Sequence, residues 1–221
     1  MTKRSMYAAL TGVALTGVAL AVFAAGAARA GDATSWGEGA DDAAFQAMLK
    51  SGFRDKGIAT VKRLEQDPTQ AFCSDPAMAA SAAGAKRKAE IEAANEATIK
   101  YPADGKWLGD FKAGEAIAQS GRGLTWTDKA DAPNGGNCYN CHQISKTEIS
   151  YGTIGPSLYN YGKLRGSSED VLRYTWGKIF NAKATNACSN MPRAGHMGIV
   201  TDQQIRDLMA LLLDPKSPVN Q

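Results

Sequence analysis

The chain has 221 residues, 44% hydrophobic and 21% charged, with 25 basic and 22 acidic side chains and a formal charge of +3. That length suits one or two small domains with a real core. So even a charge balance gives no warrant for nucleic-acid or anionic-membrane binding, and no repeat or low-complexity tract interrupts the chain.

Lys3 and Arg4 precede an almost wholly apolar or small stretch from Tyr7 to Phe23, and Ala28-Arg29-Ala30 has the form of a cleavage site. Residues 1–30 are therefore predicted to be a signal peptide, removed near Ala30 on export to the periplasm. A retained spanning anchor is the alternative; the Ala- and Gly-rich composition and the small residues at its end favour removal. Losing Lys3, Arg4 and Arg29 takes the basic count from 25 to 22, equal to the 22 acids, so the mature chain is formally neutral. Any docking surface must then be a local patch.

Residues 31–104 read as a helical extension. Phe45, Met48, Leu49 and Phe53 recur near a helix period after Asp41 and Asp42. Ile58, Val61 and Leu64 make a shorter stripe that Asp67-Pro68 is expected to end. Pro76 opens an Ala-rich run to Ile99, consistent with Pro in a first turn and Ala as the best helix former. Its alternating charges describe a solvated face, and nothing here looks catalytic. Tyr101-Pro102-Ala103-Asp104-Gly105 marks the boundary.

Residues 105–221 change character. Asp110 is placed to cap a helix carrying Phe111, Gly114, Ile117 and Ala118. A glycine inside a helix costs about 1 kcal/mol against alanine, so Gly114 implies the close approach of another helix. A loop with Trp126 and Pro133 then leads to Cys138-Tyr139-Asn140-Cys141-His142. Two thiols three residues apart on a helical turn reach one porphyrin edge, and the following histidine can ligate the iron, so the pattern predicts one covalently bound haem c. A thioredoxin-like pair or half a zinc site is the bland alternative; no second Cys/His pair at ligand spacing and no βαβ pattern supports either.

Beyond the motif, Pro156 lacks an N–H but offers its carbonyl, the acceptor an axial His142 needs on its other nitrogen. An ordinary turn proline is the competing reading. Ser167-Ser168-Glu169-Asp170 begins a helix with acids in its first turn, burying Val171, Leu172, Thr175, Trp176 and Ile179 as core and pocket wall. Thr201-Asp202-Gln203-Gln204 matches a capping box; Ile205, Leu208, Met209 and Leu212 follow at helical spacing before Asp214-Pro215. This last helix should cross the one bearing Gly114.

The iron's sixth position is assigned to Met191, just before the final helix, with His196, Met197 or an open site as rivals; Met209 has core spacing. A His/Met iron carries electrons, whereas an open one could act on peroxide or sense a gas. Cys73 and Cys188 remain and are expected to pair in an oxidising compartment, tying the extension to the loop three residues before Met191. Free thiols, or one used between chains, are the alternative. On the chain-entropy model the bond contributes on the order of 4–5 kcal/mol as an upper figure.

Together the heme motif, Gly155-Pro156-Ser157-Leu158, Met191-Pro192 and the terminal helix resemble class I cytochromes c. That implies an all-α fold, a class I cytochrome c domain with an N-terminal helical extension. Asn190-Met191-Pro192-Arg193-Ala194-Gly195 and Leu211-Leu212-Leu213-Asp214-Pro215-Lys216-Ser217-Pro218-Val219-Asn220 further resemble SoxX, the monohaem subunit of the SoxAX cytochromes. The likeness runs from Lys106 to the C-terminus. It implies pairing with a larger SoxA-like cytochrome in an L-cysteine S-thiosulfotransferase that couples thiosulfate to a SoxYZ-like carrier. The bond would form on the partner chain, and this chain would relay electrons to a downstream cytochrome. It also implies Cys138 and Cys141 as thioethers and His142 and Met191 as ligands. A free-standing periplasmic electron shuttle, or a haem peroxidase or ligand sensor, are the other readings. No residue is assigned as catalytic.

Overall fold

A computed structural model of the chain describes residues 43–221, all within one unit running from Ala33 to Gln221. The predicted signal peptide and Asp41-Asp42 lie outside the described residues. Among those residues there is no β-strand, only an isolated bridge between Lys56 and Ala59, so the fold is all-α. None of these helices is long and apolar enough to cross a membrane.

Eight helices follow in order: α1 Ala43–Gly52, α2 Pro68–Cys73, α3 Pro76–Ala80, α4 Ala82–Glu96, α5 Phe111–Gln119, α6 Tyr161–Arg165, α7 Glu169–Phe180 and α8 Asp202–Leu213. Their starts are written in the sequence. Asp67, Asp75, Ser81, Asp110, Ser168 and Thr201 each accept the backbone N–H three residues on, satisfying a donor the helix cannot use. Asp67 and Thr201 complete capping boxes with Gln70 and Gln204.

The framework of the second half is the crossing of α5 and α8. A Cβ on Gly114 would lie 2.1 Å from the Asp207 carbonyl oxygen, so only glycine lets α5 sit against the α8 backbone. The Asp207 carboxylate, itself buried, accepts the Asp110 backbone N–H at 2.9 Å and ties the start of α5 to the same place. Around this crossing Ala118, Trp176, Ile179, Phe180, Ile205, Met209 and Leu211 form the core. α7 contributes the expected inward face at Thr175, Trp176 and Ile179, while Val171 and Leu172 are only partly covered. The C-terminal tail is part of the core as well. Val219 is fully buried, and the Asn220 amide donates to the Leu212 and Asp214 carbonyls.

The first half departs from its sequence reading in three places. Asp67-Pro68 does not merely end a stripe but starts α2, because the cap and a proline at the first helical position favour initiation. The Ala-rich run breaks at Ser81, which caps α4; Gly84 there packs against the Met78 carbonyl, where a Cβ would sit 2.0 Å away. The α1 stripe faces solvent rather than core, with Phe45, Met48 and Phe53 exposed.

The end of α4 and the stretch after it nonetheless lie against α7 and the Asn181 that ends it. Trp176, 1% exposed, donates its indole N–H to the Lys100 carbonyl at 2.8 Å, and Tyr101, Trp107 and Trp176 stack edge-to-face in series. The Asn181 amide donates to Asn95 Oδ1 and Thr98 Oγ1 at 2.9 and 3.0 Å, a buried polar junction in which each donor is used.

Candidate haem site

Cys138 to Asn140 form one tight helical turn, entered through Asn137 in the left-handed conformation (φ 52°). The Cys141 and His142 backbone N–H groups both donate to the Cys138 carbonyl. The turn sets Cys138, Cys141 and His142 on the wall of a cavity of about 880 Å³, large for a ligand site in a chain of this size. Ile144, Leu158, Ile179 and, from α8, Leu208 and Leu211 make the wall chiefly apolar. Met191 is on the same wall.

The His142 ring is held closely. Its Nδ1 lies 2.7 Å from the Pro156 carbonyl oxygen. That oxygen can only accept, so Nδ1 is the donor and Nε2 is the nitrogen left to ligate. The segment supplying the acceptor is stitched to the motif by backbone bonds from Gly152 to the Tyr139 carbonyl, Gly155 to the Cys141 carbonyl and Leu158 to the Gln143 carbonyl. Gly155 is required by the imidazole itself, because a Cβ there would meet ring atoms at 2.2 to 2.7 Å.

Tyr139, between the two cysteines, is buried and donates its hydroxyl to Glu115 of α5 while accepting from the Ser145 backbone N–H. Burial, then the Glu115 carboxylate, pushes the phenol above its ordinary value of 10. The tyrosine thus anchors the motif to α5. The motif's thiols are not bonded to each other, and burial, helped by Cys141 and Glu115, pushes Cys138 up to about 11. A redox dithiol needs the opposite shift. Among the described residues no three His, Cys, Asp or Glu side chains gather to hold a metal.

The rivals for a sixth ligand lie elsewhere. His196 and Met197 are exposed and absent from the cavity wall, and Met209 is fully buried in the α8 core. Cys73 and Cys188 form a disulfide with Cα atoms 5.4 Å apart. The charged side chains on the wall, the imidazole aside, are Arg165 and Lys178; burial lowers Lys178, with Glu92 opposing. Apolar walls, two free thiols, a fixed imidazole, a thioether and two cations suit a porphyrin bearing carboxylates.

Residues 120–215, from the end of α5 to just past α8, match the sequence model of the cytochrome c family. Those residues form a cytochrome c family domain. A cytochrome c domain implies covalently bound haem c. The chain is also similar to a protein of Aquifex aeolicus (strain VF5) named an uncharacterized lipoprotein, 36% identical over 157 residues, which is 71% of this chain and 73% of the relative. From 105 to 221 is 117 positions, so at least 40 of the 157 matched residues precede the haem half, and the likeness includes part of the preceding segment.

Gly155 was legible only as part of Gly155-Pro156-Ser157-Leu158, without its contact to the imidazole; Glu115, Arg165 and Lys178 were not singled out by sequence and depend on long-range packing.

Proposed function

We propose that this cytochrome carries a single haem c through thioethers to Cys138 and Cys141, with His142 and Met191 as axial ligands, and that it transfers electrons. The observation that carries the reading is His142, oriented by the Pro156 carbonyl into a cavity that Met191 also lines. When bound, the haem supplies a one-electron couple. The chain's residues set its character. Pro156 fixes the imidazole and raises its basicity. The Met191 thioether favours the reduced state relative to a second imidazole. The apolar wall excludes water, and Arg165 and Lys178 offset the carboxylates of the porphyrin. Ile154 and Leu164 line the cavity and are 77% and 78% exposed, an apolar rim suited to brief contact with another redox protein.

The apolar leader supports export to the periplasm, as does the word lipoprotein in the relative's name. The terminal motifs support a more specific role as the SoxX-like subunit of a thiosulfate-oxidising SoxAX complex. In it this chain accepts electrons while a SoxA-like partner joins thiosulfate to a SoxYZ-like carrier. Coupling two sulfurs releases two electrons and one haem takes one at a time, so a second haem of higher potential would drain the first. The test is purification of the haem-loaded chain from thiosulfate-grown cells, with mass spectrometry of what accompanies it and redox titration of the complex. A partner cytochrome with a lower-potential haem agrees with the complex. A chain that purifies alone, or a haem here of lower potential than the partner's, counts against it.

A further inference from the structure

The Met191 loop is tied to the haem half on either side of the ligand, at Ala187 by Lys183 Nζ and at His196 by the Phe180 carbonyl. Around the ligand, Met191 donates its backbone N–H to Ser189 Oγ at 3.2 Å, and Pro192 has no N–H to give. Three contacts from the preceding segment reach this loop. The Ala187 backbone N–H donates to Glu92 Oε1 of α4 at 3.0 Å. Cys188 is bonded to Cys73, the last residue of α2. Arg193 pairs with Asp67, the cap of α2, with only 16% and 32% of the two side chains exposed. The α2 helix therefore runs antiparallel to the loop, its end on Cys188 and its start on Arg193, with Met191 between.

We infer that α2 and α4 form a clamp that positions Met191, with Asp67, Cys73 and Glu92 as its positioning residues. The inference rests on Met191 being the axial ligand. Both ends of the clamp are firm. α2 begins with a full capping box, and α4 is fixed to the haem half through the Asn95–Asn181 junction. A second cavity of about 700 Å³ adjoins the loop and is lined by Cys73, Cys188, Lys183, Arg193 and also Met191. The methionine thus has room on its far side and needs restraint from without to stay on the haem side. This gives the segment before the haem half a task in the site's chemistry. With haem bound, the closed clamp would keep the Met191 thioether on the cavity side, and its release would let that side chain withdraw and admit small ligands.

The experiment uses the full haem-loaded chain, comparing wild type with Asp67→Asn, Glu92→Gln, the Cys73→Ser/Cys188→Ser pair and all four changes together. The readouts are the sulfur-to-iron charge-transfer band of the oxidised protein, the rate of carbon monoxide binding to the reduced protein, and helix content by circular dichroism. The clamp predicts fading of the band and carbon monoxide binding faster by roughly tenfold or more, while helix content is kept. Should the full set of changes fail to fold, Arg193→Lys, which keeps the charge but not the paired donors, reads the same effect in milder form. Unchanged band and carbon monoxide rate, with only the unfolding midpoint lowered, would overturn the inference. Met191→Ala separates it from the ligand reading. If that variant keeps the band, the ligand is wrong; if it loses the band while the clamp variants keep theirs, only the clamp is wrong.

Discussion

Gly114→Ala sets two effects of opposite sign against each other. Alanine in a helix interior is favoured over glycine by about 1 kcal/mol. The new methyl, however, would sit 2.1 Å from the Asp207 carbonyl oxygen, 2.7 Å from its carbon and 3.0 Å from Leu211 Cβ. Ordinary contacts are about 3.5–4.0 Å, and two of the three atoms are α8 backbone, which cannot rotate away. The helices must separate by about 1 Å, a strain at the upper end of the roughly 1–3 kcal/mol seen for overpacked cores. The net effect is a loss of about 2 kcal/mol, or about 4–8 °C in Tm at this chain length. Because Leu208, Leu211 and Leu212 of α8 line the cavity, the haem absorption should broaden in the same variant. Thermal unfolding of haem-loaded wild type and Gly114→Ala, followed by circular dichroism, provides the comparison. A variant as stable as wild type, or more so, refutes the helix-crossing argument.

Gly155→Ala should drive the imidazole off the Pro156 carbonyl, costing about 1–3 kcal/mol and perturbing the low-spin spectrum; an unaltered spectrum means the ring does not depend on that spacing. Asn181→Leu leaves Asn95 and Thr98 without their buried donor. Stability should fall by about 1–3 kcal/mol in denaturant titration with the haem spectrum intact. Acid should loosen the Met191 loop. Burial would raise Asp67, but the Gln70 backbone N–H and Arg193 outweigh it and hold the carboxyl below 3.8. Lys183 adds a further charge beside the pair, and the stabilisation from the pair is complete above pH 3.8 and is lost as pH falls through the folded value. The charge-transfer band of wild type should therefore fade as pH falls below 3.8, a step that Asp67→Asn, with no such carboxyl to titrate, should lack.

The haem half was legible because its signals are local. A five-residue motif, a helix-interior glycine, caps at Asp110, Ser168 and Thr201, and a periodic final helix each reflect backbone needs within a few residues. The placement of Gly114 against α8 followed from one steric fact. Less of the first half could be read, since periodicity shows that Phe45, Met48 and Phe53 share a helix face but not that this face meets solvent. The break at Ser81 was hidden by alanines equally content on either side. The short α6 carries no cap side chain, its entry at Asn160 being left-handed (φ 58°). Contacts such as Arg193–Asp67 and Tyr139–Glu115 join residues distant in sequence, and charge pattern alone does not select among such pairs.

The proposed ligation has a thioether from Met191 completing an iron held by His142. The most direct measurement is the absorption spectrum of the oxidised haem-loaded protein beside that of Met191→Ala. With that ligation a sulfur-to-iron charge-transfer band is expected in the first and its absence in the second, with carbon monoxide binding to the reduced variant but scarcely to wild type. A wild-type spectrum without that band, or one that Met191→Ala leaves unchanged, contradicts it.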